Sequence, residues 1–329
     1  MRYFLGADVG ATKTHVLIAA ETGQAIGFGQ SGPGNHETVG YAGLQKALCM
    51  ATGQALAMAQ LSKDQIAGAG FGVAGFDWPS EKEPTLRAID ILGLTGPIEA
   101  VNDTLIGLVA GSVEGWGIAL VSGTGCNCWG WDRTRQRTGQ VTGGSLMMGE
   151  AAGASELVRK AIQMVAYEWT RRGPATQLTP AFIKHTGAHS LPDLLHGLTE
   201  ERLELTNTAA PLVFAIAAAG DPVAIEVIRW AGCELGELAN AVIRQLNFEG
   251  LIFDIVLVGS LFNGGSLLIE PMQATIHSLA PAAHLVRLEA LPVVGAVLLG
   301  MEQTRMETIT IRSRLIASTQ RLWQDSKNR

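Results

Sequence analysis

The sequence predicts an α/β protein of two lobes, each of which begins with a β-hairpin. An apolar run from Tyr3 to Ala7 leads into the turn Asp8-Val9-Gly10-Ala11-Thr12-Lys13-Thr14, and a run from Ile118 to Val121 leads into Ser122-Gly123-Thr124-Gly125. In both places a short strand enters a glycine-rich turn and leaves as a second strand. A chain of 329 residues has the length of about two domains.

Composition narrows the class of protein. Apolar residues make up 47% of the chain and charged residues 16%, which is typical of a folded protein with large cores. The net charge of -6 is spread along the chain without a basic block, so we expect no nucleic-acid partner. We see no secretory signal and no apolar stretch of the ~18 residues that a membrane span needs. We therefore expect a cytoplasmic protein without membrane association.

The four cysteines, Cys49, Cys126, Cys128 and Cys233, are too few and too scattered for a disulfide framework. Cys126 and Cys128 form the only close pair. A zinc or iron–sulfur site would need a second pair or histidines at ligand spacing, and neither follows. Buried thiols are the simpler interpretation.

The first lobe continues as alternating strands and helices. Strands are predicted from His15 to Ala20 and from Gln24 to Gly29, and Tyr41 to Leu61 has apolar residues at helical spacing. Ile66 to Ala74 and Ile98 to Val101 are short apolar runs that end at a glycine and at an Asn-Asp pair. This pattern is typical of buried parallel strands that hold ligands at their carboxyl ends.

The second lobe repeats the opening pattern and then becomes helical. Further strands are predicted at Gly115 to Val121, Cys126 to Trp131, Arg137 to Thr142 and Phe253 to Val258. Helices are predicted at Ala154 to Arg172, Ala209 to Ala219, Pro222 to Leu246 with Asp221 as its cap, and Gly295 to Met306. We place the first lobe at residues 1–115 and the second at 116–299, with a helix at about 300–329 packed back on the first.

The two glycine-rich turns predict a site that binds a polyphosphate from both sides. Glycine lets backbone N–H groups converge, and these amides form an anion site together with Thr or Lys side chains. One such turn is equally typical of an ordinary hairpin, but two of them, with an Asp inside the first, favour phosphate binding. The chain has no G-x-x-x-x-G-K-[ST] motif and no G-x-G-x-x-G after its first strand, which argues against Walker-type and dinucleotide sites.

Eight segments, in this order, resemble the actin, Hsp70 and sugar-kinase superfamily. The closer resemblance is to the BadF/BadG/BcrA/BcrD-type ATPases and to the eukaryotic-type N-acetylglucosamine kinases. The segments are DVGATKT, GNH, VAGFD, VND, VSGTGCNC, MMGE, LVGS and PVVGAVLLG, and they span nearly the whole chain. The resemblance implies a two-lobed actin-like ATPase fold of the ribonuclease H-like type, with the nucleotide in the cleft between the lobes.

The resemblance also implies how ATP and Mg²⁺ are bound. Asp8 would orient the magnesium through water. The residues that would contact the nucleotide are Gly10, Thr12, Lys13 and Thr14 on one side, Ser122, Gly123, Thr124 and Gly125 on the other, Gly259 and Ser260 beside adenosine, and Gly295 beneath it.

Asp103 matches the family's catalytic carboxylate. Phosphoryl transfer needs the acceptor hydroxyl aligned with the γ-phosphate and its proton accepted as the new bond forms, and a carboxylate at a strand end meets both needs. The Asn102-Asp103 pair also fits the cap of a helix from Thr104 to Gly111. The two roles are compatible.

The residues that the resemblance implies for the acceptor are Asn35, His36, Ala74, Gly75, Asn102, Asn127 and Glu150. For His36 a structural role is an equal alternative, and Asn127 fits a role in holding its turn as well as it fits a ligand contact. The chain departs from the acetylglucosamine kinases at Gly144, where they carry Trp, and at Glu150, where they carry Asp. A lost aromatic wall and a longer carboxylate reshape a hydroxyl-binding pocket, so the sequence leaves the identity of the sugar open.

The resemblance therefore implies an ATP-dependent kinase that phosphorylates a hydroxyl of a hexose or amino sugar, such as N-acetylglucosamine or glucosamine, and that forms a homodimer. The alternative is an ATPase that acts as an activator or conformational switch, as in the BadF/BadG type. Those activators bridge a dimer through an iron–sulfur cluster, and neither Cys126 nor Cys128 lies where its ligands are expected. A sugar-sensing regulator is a third class, but no helix-turn-helix precedes Tyr3.

Overall fold

The computed structural model describes residues 1–327 and contains two five-stranded sheets. The strands are β1 (Tyr3–Val9), β2 (Thr14–Ala20), β3 (Ala25–Ser31), β4 (Ile66–Val73), β5 (Ile98–Asn102), β6 (Gly117–Ser122), β7 (Cys126–Trp131), β8 (Thr138–Gln140), β9 (Phe253–Val258) and β10 (Ala283–Arg287). The first sheet has the order β3-β2-β1-β4-β5, and the second has the order β8-β7-β6-β9-β10. The two sheets therefore share one topology.

Strand direction is the same in both sheets. In chain order, the first three strands of each sheet pair in antiparallel fashion. The fourth and fifth strands run parallel to the first strand of their sheet. Thr14 pairs with Val9 in one hairpin and Ser122 pairs with Cys126 in the other, which confirms both predicted hairpins. Because parallel strands end at one edge of a sheet, each sheet brings its loops together at that edge.

Eleven helices lie within residues 1–327. They are α1 (His36–Ala59), α2 (Lys82–Ile89), α3 (Asp103–Gly111), α4 (Ala154–Trp169), α5 (Leu178–Thr186), α6 (Leu191–Thr199), α7 (Ala210–Ala218), α8 (Pro222–Leu246), α9 (Ser266–Leu279), α10 (Val293–Glu302) and α11 (Ile309–Lys327). The predicted cap of α8 is confirmed, because the Asp221 carboxylate accepts from the Ala224 amide at 2.8 Å. Helices α2, α5, α6 and α9 were not predicted.

Three hydrophobic cores lie between the sheets and helices. One core packs α1 and α2 on the outer face of the first sheet, and another packs α4 to α9 on the outer face of the second. The third lies between the sheets and contains α3 and α10. Neighbouring strand residues alternate between cores, as Phe4 and Leu5 do, because successive side chains point to opposite faces of a sheet.

Helices α3 and α10 cross in direct backbone contact between the sheets. A β-carbon on Gly295 of α10 would lie 1.9 Å from the Ile106 carbonyl oxygen of α3, and one on Gly70 of β4 would lie 2.1 Å from the Ala296 carbonyl oxygen. No side chain fits at either place, so α10 lies flat on the first sheet and against α3 only because both positions are glycine.

The C-terminal helix contacts the first sheet. The Ser318 hydroxyl of α11 accepts from the Ala25 amide at 3.0 Å and donates to the Gly23 carbonyl at 3.0 Å.

The division of the chain into lobes at residues 115 and 299 stays a prediction. Within residues 1–327 no single helix is long and apolar enough to cross a membrane, although Asn207–Ala218 and Pro222–Leu246, which meet at a bend of 120°, pass that test as a pair.

We expect Gly295→Ala to lower the free energy of unfolding by about 2 kcal/mol or more, because the added methyl overlaps the Ile106 carbonyl. The matched control is Gly53→Ala in the exposed part of α1, where a β-carbon meets nothing within 4 Å. There we expect a gain of about 0.5–1 kcal/mol from helix propensity. Urea unfolding measures both changes, and equal effects of the two substitutions would contradict the packing described for α10.

Candidate functional site

The first glycine-rich turn joins β1 to β2. The Gly10 amide donates to the Lys13 carbonyl at 2.9 Å, which closes the turn, and the Gly10 carbonyl accepts from the Gly34 amide at 3.1 Å. Thr12 and Lys13 are exposed at its tip. The turn therefore presents a hydroxyl and an ammonium group to solvent, next to Asp8 near the carboxyl end of β1.

The second turn joins β6 to β7 and is tied to the start of α4. The Gly123 amide donates to the Gly125 carbonyl at 2.9 Å, and the Ala154 and Ser155 amides of α4 donate to the Gly123 and Thr124 carbonyls at 2.9 and 3.0 Å. A β-carbon on Gly123 or Gly125 would meet nothing within 4 Å. Open space thus lies beside both glycines, on an anchored backbone close to a helix N-terminus, which favours anions.

A cavity of about 460 Å³ lies beside the second turn. Ser260 lines it, and Gly259, with φ of 116°, lies so close to the Ser122 carbonyl that a β-carbon would be 2.2 Å from its oxygen. The other lining residues are Gly123, Thr124, Ala154, Asn207, Thr208, Ala210, Pro211, Phe214, Leu261, Asn263 and Gly264. A cavity of this size is typical of a site for a small ligand.

Three of the predicted nucleotide residues lie inside the protein. Thr14 and Ser122 are fully buried, and the Ser122 hydroxyl donates to the Ala152 carbonyl at 2.6 Å. Gly295 packs on α3 and does not line the cavity beside the second turn. The Thr14 hydroxyl has no hydrogen-bond partner among the described residues. Phosphate contacts from the Thr14 and Ser122 hydroxyls stay a prediction.

Asp103 is the first residue of α3, immediately after β5. Burial, and then the negative charge of Asp8, raise the pKa of Asp103 to about 7. Burial likewise raises the pKa of Asp8 to about 6, although the Lys13 charge opposes it. Asn102 caps α3, since its side-chain oxygen accepts from the Thr104 amide at 2.9 Å. The cap is thus confirmed, and the carboxylate beside it titrates near neutral pH.

The Asp8 carboxylate fits a magnesium ion held through water. Among residues 1–327 no group of three or more His, Cys, Asp or Glu side chains is arranged to bind a metal by itself. Magnesium usually keeps several waters and binds through one or two carboxylates and substrate phosphates. Asp8 supplies one such carboxylate, and a cation held there would relieve the repulsion between the charges of Asp8 and Asp103.

Asn35, Ala74 and Gly75 meet beside the first turn. The Asn35 side chain caps α1 by accepting from the Glu37 amide at 2.8 Å. Gly75, with φ of 80°, lies so close that a β-carbon would be 2.4 Å from the Asn35 side-chain oxygen. The Ala74 amide donates to the Val9 carbonyl at 2.8 Å. These three predicted acceptor residues therefore form one cluster at the ends of β1 and β4.

His36 is held by protein contacts. Its Nε2 lies 3.5 Å from the Glu81 carboxylate, and its ring stacks on Tyr41 with centroids 4.5 Å apart. The Nδ1 atom is buried without a hydrogen-bond partner among the described residues. These contacts favour the structural role for His36.

Glu150 lies in the second lobe and is 6% exposed. Its Oε1 accepts from the amide and the hydroxyl of Thr142 at 2.6 and 2.8 Å. Its Oε2 is buried and has no hydrogen-bond partner within residues 1–327. A buried carboxylate oxygen without a donor is costly, and a ligand hydroxyl is one group that would satisfy it.

Asp77 was missed as a site residue, although its segment was recognised. Its carboxylate accepts from the Asn102 side chain at 2.8 Å, so the predicted substrate contact of Asn102 competes with an internal bond. The residues at 207–214 that line the cavity were missed as well, because in sequence they show only the start of a helix. In the sequence alone, neither Asp77 nor residues 207–214 show a pattern that indicates ligand binding.

Comparisons with known proteins agree with this architecture. Residues 5–300 match the model of the BadF/BadG/BcrA/BcrD ATPase family. The N-acetylmuramic acid/N-acetylglucosamine kinase of Clostridium acetobutylicum is 23% identical over 92% of this chain and 99% of its own length. The N-acetyl-D-glucosamine kinase of Dictyostelium discoideum is 22% identical over 92% and 98%.

Among solved structures, a Chromobacterium violaceum protein described as a proposed N-acetylglucosamine kinase superposes with a TM-score of 0.68 and 21% identity, over 91% of this chain and 99% of that one. This similarity establishes the fold. The predicted two-lobed α/β architecture with a hairpin at the start of each sheet is thereby confirmed.

We expect Asp103→Asn to raise the melting temperature at pH 8 in buffer without metal or nucleotide. The ordinary pKa of an aspartate is 3.8, and that of folded Asp103 is about 7. The folded state therefore binds the proton more tightly, and the stability falls as the pH rises from about 4 to about 7. Asparagine removes this loss, so the expected gain is at least about 2 °C at pH 8 and near zero at pH 4.

Thermal unfolding followed by circular dichroism measures this difference. Asp64→Asn, at an exposed position of the same lobe, is the control and should leave both melting temperatures unchanged. A lower melting temperature for Asp103→Asn at pH 8 would contradict the burial of an uncompensated charge at this position.

Proposed function

Because the chain belongs to the BadF/BadG/BcrA/BcrD ATPase family, we propose that it is an ATP-dependent kinase that phosphorylates a hydroxyl of a hexose or amino sugar, with N-acetylglucosamine or glucosamine as the expected type. The observation that carries the proposal is Asp103. It is a partly buried carboxylate with a pKa of about 7, near the charge of Asp8 and at the carboxyl end of a parallel strand.

Asp103 is proposed as the general base. A base is most effective when its pKa is close to the working pH, because enough of it is ionised and it still binds the proton well. The cap on α3 holds the backbone of Asp103 through the bond from Thr104 to Asn102. A positioned carboxylate of this kind accepts the proton of the acceptor hydroxyl as that oxygen attacks phosphorus.

The two turns and the cavity beside the second are proposed to bind ATP. Lys13 and the amides of the first turn would contact the phosphates from one side, and the backbone at Gly123 to Gly125 from the other. The cavity that Ser260 lines would take the adenosine. Asp8 would hold Mg²⁺ through water, and the bound ion would neutralise charge on the transferred phosphoryl group.

The acceptor is proposed to lie between Asn35 with Gly75 in the first lobe and Asn127 with Glu150 in the second. The unpartnered oxygen of Glu150 favours a ligand with hydroxyl donors. The names of the Clostridium and Dictyostelium relatives favour an amino sugar. A cytoplasmic homodimer is the expected setting of the enzyme.

The first test is a coupled ADP-release assay with a panel of sugars. The panel contains N-acetylglucosamine, N-acetylmuramic acid, glucosamine, N-acetylmannosamine and glucose. We expect at least one amino sugar to stimulate ATP turnover and to be recovered as a phosphate ester. ATP turnover that no sugar changes would favour the ATPase switch instead.

With the stimulating sugar, Asp103→Asn is expected to lower kcat by roughly 10² or more, on the scale of a lost general base, with little change in ATP affinity. An unaffected kcat would remove Asp103 from the proposed role.

Gly123→Val tests the nucleotide site. A β-carbon at Gly123 meets no protein atom within 4 Å, so the fold has room for the new side chain. We expect the melting temperature to change little, while the affinity for ATP measured by calorimetry falls about tenfold or more, equal to at least about 1.4 kcal/mol. Gly250→Val is the control, since a β-carbon there is also free of contacts. Unchanged ATP affinity in Gly123→Val would place the phosphates elsewhere.

A further inference from the structure

Asp77 carries a buried carboxylate that takes no part in the proposed binding of ATP or in the proposed proton transfer. It lies in the loop after β4 and is 8% exposed. The Asp77 backbone amide donates to the Glu81 carboxylate at 2.8 Å. The same carboxylate lies 3.5 Å from the His36 Nε2 atom. The backbone of Asp77 is thus fixed from within the first lobe.

The carboxylate of Asp77 is connected to the proposed base. The Asn102 side chain donates to Asp77 Oδ1 at 2.8 Å, and its own oxygen accepts from the Thr104 amide at 2.9 Å. An amide side chain that both donates and accepts has only one productive orientation. Asp77, together with the Phe76 carbonyl that accepts from the same amide at 3.3 Å, determines which end of the Asn102 amide caps α3. The cap holds the helix start that carries Asp103.

Asp77 also contacts residues of the second lobe. The Gln140 side chain of β8 donates to the Asp77 carbonyl at 2.8 Å. A β-carbon on Gly143 would lie only 3.2 Å from Asp77 Oδ2. Gln140 and Gly143 of the second lobe thus lie against Asp77 of the first.

We propose that Asp77 is a positioning residue for the phosphoryl transfer proposed above, on which this inference rests. Asp77 links the second-lobe bond from Gln140 to the Asn102 cap, so that Asp103 is correctly oriented when the two lobes meet around the substrates. Asp77 touches neither reacting atom. It acts through Asn102.

The test is Asp77→Asn, assayed with the best sugar of the panel. Asparagine keeps the shape but replaces the charged acceptor of the Asn102 amide with a neutral one, so the orientation of Asn102 is held less firmly. We expect kcat to fall by about 10- to 100-fold, the scale of a misplaced catalytic group, with little change in the KM for ATP. Asp64→Asn is the exposed control and should match the wild type.

Gln140→Ala provides a second test that leaves the carboxylate intact and removes the bond to the Asp77 carbonyl. We expect a smaller fall in kcat, and an effect in the double variant that is less than the sum of the two, because both act through the position of Asp77. A wild-type kcat in Asp77→Asn would overturn the inference. So would a fall in kcat that only follows lost thermal stability, or one that comes with an equally large change in the KM for ATP. If the wild type phosphorylates no sugar, the proposed function itself fails.

Discussion

The position of the candidate site depends on the close crossing of α3 and α10 between the two sheets. Helix α10 lies on the first sheet at Gly70, and α3 approaches the second sheet, where a β-carbon on Gly111 would lie 2.3 Å from a Val256 methyl. Gly295 lets the two helices touch. Since α3 begins at Asp103, the same crossing that joins the lobes also places the proposed base.

Electrostatics give the site its chemical character. Asp8, Asp77 and Asp103 have pKa values raised to about 6, 7 and 7, and burial is the largest cause for each. Carboxylates that are buried near one another lower the stability of the folded protein at neutral pH. Such an arrangement is typical of functional sites, where a cation or a transferred proton compensates the charge. Residues outside the site show no comparable group of raised carboxylates among those described.

Much of the candidate site was predictable, since tight glycine turns after apolar strands have a direct structural reason. The turns at Gly10 and Gly123 and the cap before Asp103 formed as predicted. The buried hydroxyls of Thr14 and Ser122 were not predictable, because strand register decides which face a side chain occupies. Asp77 gave no signal either, since its partners Asn102 and Gln140 lie 25 and 63 residues away.

The sequence by itself determined the local elements: two hairpins with glycine turns, the capped helix α8, and the repeated strand order that predicts two lobes. These depend on periodicity, capping and turn chemistry, all of which act over a few residues. Only the tertiary structure decided which charges meet, which hydroxyls are buried and what lines the cavity beside Ser260. Those properties arise from contacts between distant segments, and packing rather than local preference sets them.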